Sequence, residues 1–272
     1  MGERPLSLGR RNRAAEHEEL WRPPPFPSRA AVAPRRGGRL AAAFRRVFDL
    51  QAATLWLDLT LLLPRLEGTV LDVGCGAQPY RSLLAPGTRY IGIDTAEARS
   101  RFGYAEPDTL YSSGETWPVA DGSADAVLAT ETLEHVPDAA CFLAEAARCL
   151  RAGGLLILTV PFAARYHFIP HDYWRFTPAA LMQHLEAAGF AEIAVHARGT
   201  PVTVACYKLM ALTPLLFFPA RRGVARRWLL RLLGAVTLPL FLLAALTGRF
   251  TLSQDWGDDC LGYTVLARRP EA

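Results

Sequence analysis

The sequence is poor in lysine and contains no spaced cysteine motif. Lys208 is the only lysine among 30 basic residues, and the formal net charge is only +4, so no strong global field points to nucleic acid. The cysteines, none of them in a Cys-x-x-Cys pair, are Cys75, Cys141, Cys149, Cys206 and Cys260. An odd, scattered set argues for reduced, cytosolic thiols rather than a disulfide framework. No secretory signal is expected, because the first apolar run comes only after residue 39.

The sequence also lacks an uncharged apolar run of the roughly 20 residues that a membrane-spanning helix needs. Hydrophobic residues nevertheless make up 51% of the chain, which is at the upper edge for a soluble protein. Two such runs late in the chain, 209–220 and 232–247, contain 12 and 16 residues. The arginines between them are Arg221, Arg222, Arg226, Arg227 and Arg231.

A spanning hairpin would place these arginines on the far side of a membrane, against the positive-inside tendency. Residues 200–256 are therefore predicted to form a hydrophobic helical insertion at the membrane interface, with Trp228 at the boundary. A hydrophobic cap or a dimer interface on a soluble protein is the alternative. Pro214, Pro219 and Pro239 argue against long straight helices in either case.

Residues 1–38 are rich in arginine and proline. Such a segment buries too little apolar surface to offset the entropy of ordering, so a flexible tail is expected. Its arginines can contact anionic lipid or nucleic acid, or can simply be solvated.

The middle of the chain alternates strand-like and helix-like patterns, which is typical of a doubly wound, mostly parallel α/β sheet. A helix over 40–63, ended by Pro64, is expected to pack on the sheet and partly cover the ligand crevice. Strands are predicted at 70–73, 89–94, 109–112, 124–129, 155–160, 190–196 and 262–268, and helices at 79–84, 138–150 and 178–188. The insertion separates the last two strands.

The first strand leads into Gly74-Cys75-Gly76, a tight turn that lets the backbone approach a ligand closely. Asp94 follows the second strand, where a carboxylate can accept hydrogen bonds from both ribose hydroxyls of a nucleotide bound over that turn. A dinucleotide fold would be expected to have a third glycine where Pro79 stands. Cys75 is expected to be a small filler in the turn rather than a nucleophile.

Together with the stretches 114–138 and 148–162, these features resemble the class I S-adenosylmethionine-dependent methyltransferases, in particular the small-molecule and lipid-precursor enzymes of the methyltransferase type 11 kind. The resemblance covers 68–199 and 258–268. It implies a methyltransferase domain over 39–199 and 257–272 and S-adenosylmethionine as the cofactor. The cofactor residues that it implies are Asp72, Gly74, Cys75 and Gly76 at the methionine end, Asp94 and Thr95 at the ribose, Ser113 or Glu115 at the adenine, and Glu131 nearby.

Glu131, Glu134 and His135 form a Glu-x-x-Glu-His motif after the fourth strand. On one helical turn these side chains can converge on a divalent cation, as in some quinone-pathway O-methyltransferases that the stretch resembles. A role in packing and in shaping the cofactor site is favoured instead, so no metal is assigned. His135 is assigned to substrate binding.

The segment 167–177 follows the fifth strand, where a doubly wound sheet presents its substrate-facing loops. His171 or His167 is predicted to be the general base, with Asp172 orienting the imidazole. Tyr173 and Arg175 are predicted to bind the substrate. The alternative is that Asp172 and Arg175 pair to brace the loop. Trp174 is expected to pack.

The sequence thus predicts a cytosolic, membrane-associated enzyme that methylates an oxygen of a lipophilic or lipid-linked acceptor. A non-catalytic cofactor-binding regulator and a nucleic-acid methyltransferase are the alternatives. The second is disfavoured because Thr130-Glu131-Thr132-Leu133 stands where an [N/D]PP[Y/F] motif would be expected.

Overall fold

The computed structural model describes residues 45, 47–102, 106–112, 116–168, 171–217 and 224–271. The predicted tail over 1–38 lies outside these residues, as do Ser113, Glu115, Pro219, Arg221 and Arg222.

Seven strands form one sheet in the order β3-β2-β1-β4-β5-β7-β6. The strands are β1 (Thr69–Val73), β2 (Arg89–Thr95), β3 (Thr109–Ser112), β4 (Ala124–Thr130), β5 (Leu150–Pro161), β6 (Ala191–Arg198) and β7 (Gly262–Arg268). Strands β1 to β5 pair in parallel, whereas β7 lies antiparallel between β5 and β6. This confirms the predicted doubly wound, mostly parallel fold.

The strand order reverses at β1, which pairs with β2 on one side and with β4 on the other. In open α/β sheets, ligands bind outside the carboxyl ends of the strands at such a reversal. Three predicted site features lie at this edge: the Gly74–Gly76 turn after β1, Asp94 as the penultimate residue of β2, and Glu131 after β4.

The described helices are α1 (Leu50–Leu62), α2 (Ala96–Phe102), α3 (Ala139–Cys149), α4 (Pro178–Ala187), α5 (Pro201–Phe217) and α6 (Val224–Phe250). Asp138 and Thr177 cap α3 and α4 by accepting hydrogen bonds from backbone N–H groups of the first turn. Helices α3 and α4 cover one face of the sheet through Leu143, Leu181 and Leu185. Helix α1 covers the other face through Leu55 and Leu59.

The first predicted helix differs from the observed one at its start. Residues 45, 47 and 48 are helical, but Asp49 interrupts the helix and caps a new one, because its side chain accepts from Ala52 N at 3.2 Å. An N-cap aspartate has extended backbone angles, which are incompatible with an uninterrupted helix. The expected end near Pro64 corresponds to a 3₁₀ turn over Leu63–Arg65.

The expectation against long helices in the insertion is wrong. Pro214 lies within α5, and Pro239 lies within α6, which is 27 residues long. Each proline removes only one backbone donor, and α6 packs through small residues, including Gly234, Ala244 and Gly248. A Cβ atom at Gly248 would contact the side chains of Leu50 and Cys206. This close approach stabilises α6 in spite of its proline.

Helix α6 is also long enough and apolar enough to cross a membrane, and only 17% of its most apolar window is buried. The uncharged run 232–247 is therefore shorter than the apolar helix that contains it, because α6 extends beyond this run at both ends. A single helix of this kind does not by itself place the chain in a membrane.

Candidate functional site

The turn after β1 has a backbone conformation that requires glycine. Gly74 has φ of 72° and Gly76 has φ of 53°, both in the region that is costly for residues with a Cβ atom. Gly74 N and Cys75 N both donate to Ile93 O, at 2.8 and 3.2 Å. A Cβ atom at Gly74 would also collide with the side chain of Thr132. The turn is thus closely packed between β2 and the segment after β4.

Asp94 joins this turn to β2. Its Oδ2 accepts from Gly76 N at 2.8 Å, and its Oδ1 accepts from Thr95 N at 2.7 Å. A carboxylate offers about four acceptor positions, so an aspartate that accepts from backbone N–H groups can also accept from ribose hydroxyls. The Thr95 hydroxyl accepts from Ala98 N at 3.1 Å and thereby caps α2.

Asp72 and Cys75 direct their side chains into the protein. Asp72 is buried, and Tyr90 donates its hydroxyl hydrogen to Asp72 Oδ2 at 2.8 Å. Burial raises the pKa of Asp72 to about 7. The Cys75 thiol lies 3.8 Å from Thr109 Oγ1, and burial raises its pKa to about 12. A thiol of this kind is a poor nucleophile, so Cys75 offers a ligand its backbone only.

Glu131 begins the segment after β4 and has φ of 50°. Its N–H donates to both Thr159 O and Thr159 Oγ1, each at 3.0 Å. Its side chain pairs with Arg198 at the end of β6, with 2.5 Å between Arg198 Nη2 and Glu131 Oε1. Arg198 is 2% exposed and also donates to Thr54 Oγ1 and Val160 O. Sequence analysis missed Arg198, although an arginine closing an otherwise mixed strand directly before Gly199 was a visible signal.

The three residues of the Glu-x-x-Glu-His motif do not converge on one point. Glu131 is committed to Arg198, while Glu134 and His135 lie in a 3₁₀ turn over Leu133–His135. Glu134 is fully buried, and His135 Nε2 lies 3.6 Å from its Oε1. Burial and, secondarily, the charge of Glu131 raise the pKa of Glu134 well above its usual range.

Asp172 is bonded to Arg175 and His167 and makes no described contact with His171. Arg175 donates to both Asp172 oxygens, at 2.6 and 2.8 Å. His167 N donates to Asp172 Oδ2 at 2.9 Å, and His167 Nδ1 lies 3.2 Å from the same oxygen. Although burial alone would raise the pKa of Asp172, the hydrogen bonds from His167 and Arg175 hold it below its usual range. Asp172 and Arg175 are therefore paired within the loop, as in the bracing alternative.

His171 lies at the other side of this loop. Its Nδ1 is 3.2 Å from Tyr173 Oη, and its Nε2 is 3.6 Å from Glu97 Oε1 on α2. Glu97 was not among the predicted site residues, because its distance in sequence hides its position beside the loop. Trp174 donates its indole N–H to Val136 O at 2.8 Å and stacks on Phe176, as expected for a packing residue.

Comparisons of the sequence with known proteins find methyltransferases. Residues 71–158 match a family model described as a methyltransferase domain. An uncharacterized methyltransferase of Mycobacteroides abscessus is 36% identical over 158 residues, which cover 49% of this chain and 60% of that protein. A "probable S-adenosylmethionine-dependent methyltransferase" of Mycolicibacterium smegmatis is 33% identical over 133 residues, covering 44% of this chain and 51% of that protein. The chain thus spans only part of the length of these curated relatives.

Among solved structures, a SAM-dependent methyltransferase from Archaeoglobus fulgidus superposes with a TM-score of 0.49 at 15% identity, covering 83% of this chain and 98% of that chain. A score at this level carries no information about the reaction.

Proposed function

We propose, from the premise that this chain carries a methyltransferase domain of the class I S-adenosylmethionine-dependent family, that it methylates an oxygen of a lipophilic or lipid-linked small molecule at the cytoplasmic face of a membrane. The cofactor, S-adenosylmethionine, follows from membership of this family. The acceptor class, the methylated atom and the membrane location are what we propose.

For the cofactor, we assign the methionine end to the Gly74–Gly76 turn and the ribose to Asp94. Gly74 and Gly76 have no Cβ atoms, and the Cys75 side chain is buried, so a ligand can approach the backbone of the turn closely. Asp94 is tied to Gly76 and to Thr95 N, which fixes the carboxylate relative to the turn. Such prior positioning reduces the entropy that binding must otherwise remove.

The proposal of a lipophilic acceptor depends on the exposed apolar surface of α6. Val236, Leu246 and Phe250 are 70%, 69% and 78% exposed, far more than single scattered apolar residues would explain. Arg226, Arg227 and Arg231 lie at its N-terminal end, and the Arg231 guanidinium lies 5.4 Å from the Trp228 ring. Arginine beside tryptophan at the end of an apolar helix suits a lipid headgroup region.

The helical pair α5–α6 lies close to the carboxyl edge of the sheet. Helix α5 begins three residues after Arg198, which pairs with Glu131. Lys208 on α5 donates to Ala163 O, two residues after the end of β5. Phe48 stacks on Phe241 of α6 at 5.8 Å. An acceptor held in a lipid surface against this pair would lie near the proposed cofactor site.

Methyl transfer to oxygen is an in-line displacement, in which the carbon–sulfur bond breaks as the carbon–oxygen bond forms. S-adenosylhomocysteine leaves, and the acceptor hydroxyl loses its proton to a base. We assign that base to His171, because Glu97 lies 3.6 Å from its Nε2 and can stabilise the imidazolium. Asp172 acts as a positioning residue that holds His167 and Arg175 in the loop.

The test incubates the purified chain with methyl-labelled S-adenosylmethionine and a total lipid extract, with an aqueous metabolite pool and with nucleic acid. Label in the organic phase is expected. Label only in the aqueous pool or in nucleic acid would refute the lipophilic acceptor, while bound cofactor without any labelled product would indicate a regulator.

A second assay addresses the surface itself by co-sedimentation with anionic phospholipid vesicles. Leu243→Asp with Leu246→Asp should lower the partition coefficient about tenfold or more, since burying one leucine contributes roughly 1.5–3 kcal/mol. The matched control is Leu110→Asp, which changes another exposed leucine, on β3. Equal loss in the control, or no vesicle binding by the parent, would contradict the membrane assignment.

A further inference from the structure

Three side chains that the proposed methyl transfer does not use lie together beside the loop after β5. They are Glu134 and His135 from the 3₁₀ turn after β4, and His167. One ligand atom from each residue lies within 4.8 Å of the other two. The rings of His135 and His167 meet edge to face, with centroids 4.9 Å apart.

Glu134 is the unusual member of this cluster. Its side chain is completely buried, and neither Oε1 nor Oε2 has a hydrogen-bond partner among the described residues. A buried carboxylate without partners costs several kcal/mol, and buried carboxylates are as a rule paired or coordinate a metal. His135 Nε2 lies 3.6 Å from Glu134 Oε1. This is too long for a hydrogen bond but close to the roughly 3.4 Å between two ligands of a tetrahedral ion with bonds near 2.1 Å.

Both imidazoles are oriented by contacts through Nδ1. His135 Nδ1 lies 2.5 Å from His171 O, and His167 Nδ1 lies 2.9 Å from Arg165 O. When Nδ1 donates to these carbonyls, Nε2 of each ring is a neutral acceptor. Histidine ligands of metals almost always hold their second ring nitrogen in this way, most often against a carbonyl or a carboxylate. Asp172, 3.2 Å from His167 Nδ1, adds a carboxylate to the same outer layer.

We propose that Glu134, His135 and His167 bind one divalent transition-metal ion, with Zn²⁺ the first candidate. Two neutral imidazoles and one carboxylate suit Zn²⁺ or Fe²⁺ and leave at least one coordination position open. The ligand set differs from the Glu-x-x-Glu-His motif, because Glu131 is committed to Arg198 and His167 enters from a different loop. The site does not depend on the proposed acceptor or on methyl transfer.

The test measures Zn²⁺ binding to the full chain by calorimetry, and retained metal by mass spectrometry after dialysis. The parent is expected to bind one ion per chain. Glu134→Gln, which keeps the shape and removes the anionic ligand, should weaken binding about tenfold or more, and so should His167→Asn.

The matched controls are Glu186→Gln on α4 and His196→Asn on β6, both at exposed positions outside the cluster. They should bind Zn²⁺ like the parent. Retained S-adenosylmethionine binding in each variant shows that the chain is folded, and His167→Asn, at a partly exposed loop position, keeps the test decisive if Glu134→Gln does not fold. Absence of binding by the folded parent, or equal binding by parent and cluster variants, would overturn the proposal.

Discussion

Removal of the Glu131 charge should destabilise the protein through Arg198. The Arg198 side chain is 1% exposed and the Glu131 side chain is 24% exposed, with 2.5 Å between the paired atoms. In Glu131→Gln, the guanidinium would keep Thr54 Oγ1 and Val160 O but would have no counter-charge. The buried cation would then lack the Coulomb attraction that offsets part of its desolvation cost.

Breaking a buried ion pair by removing one partner costs roughly 3–5 kcal/mol. We expect about 3 kcal/mol, at the lower end, because the Glu131 side chain retains contact with solvent. In the double variant Glu131→Gln with Arg198→Met, no unpaired charge remains. Its loss of stability should therefore be smaller than the sum of the two single losses, by about 2 kcal/mol.

Chemical denaturation of the four proteins in the same mild detergent measures these differences. The control is Glu192→Gln, which removes the carboxylate of an exposed pair between Arg268 and Glu192, 3.3 Å apart. Exposed ion pairs contribute little to stability, so Glu192→Gln should lower the free energy of unfolding by about 0.5 kcal/mol or less. If Glu131→Gln costs no more than the control, or if the losses of the two single variants simply add, the reasoning about the buried cation is wrong.

Two further predictions concern the turn after β1. Gly74→Ala should lower the free energy of unfolding by more than the roughly 1–2 kcal/mol of left-handed backbone strain, because the added Cβ collides with Thr132. Thermal unfolding should show a larger loss than in Gly87→Ala, where φ is also positive but nothing lies within 4 Å of the added Cβ. Equal losses in the two variants would exclude the clash. Asp72 has a pKa raised by burial from 3.8 to about 7, so its folded form holds a proton that the unfolded form has lost; its contribution to stability is complete below about pH 4 and is lost as pH rises to about 7. The Asp72→Asn variant should lack this decline, so the parent-minus-variant stability should fall between about pH 4 and about pH 7; a difference curve that is flat or rising over that range would contradict the shift.

The sheet could be predicted closely from the sequence, because its strands are short apolar runs bounded by turn residues. Strands β3 and β7 have the predicted bounds, Thr109–Ser112 and Gly262–Arg268. The errors lie where tertiary contacts outweigh local preference. Pro239 by itself predicts against a long straight helix, but small residues of α6 pack closely and the helix continues through the proline.

The candidate site was predictable where backbone conformation limits the residue type, as at Gly74 and Gly76. Side-chain pairing was not predictable, because the partners are far apart in sequence. Arg198 meets Glu131 across 67 positions, and His171 meets Glu97 across a comparable distance. Glu131 and Glu134 belong to one sequence motif, which predicts a common site. In the fold, Glu131 pairs with Arg198, whereas Glu134 is buried beside His135 and His167.

Calorimetric titration of S-adenosylmethionine into the parent, Asp94→Ala and Asp258→Ala tests the central claim most directly, with Asp258 as an exposed aspartate outside the site. Each hydrogen bond to a charged group contributes roughly 1.5–3 kcal/mol, so the loss of two ribose contacts should weaken binding about a hundredfold or more. The account predicts one cofactor bound per parent chain, similar binding by Asp258→Ala and little or none by Asp94→Ala. A folded parent that binds no S-adenosylmethionine, or an Asp94→Ala variant that binds it as tightly as the parent, would contradict the account.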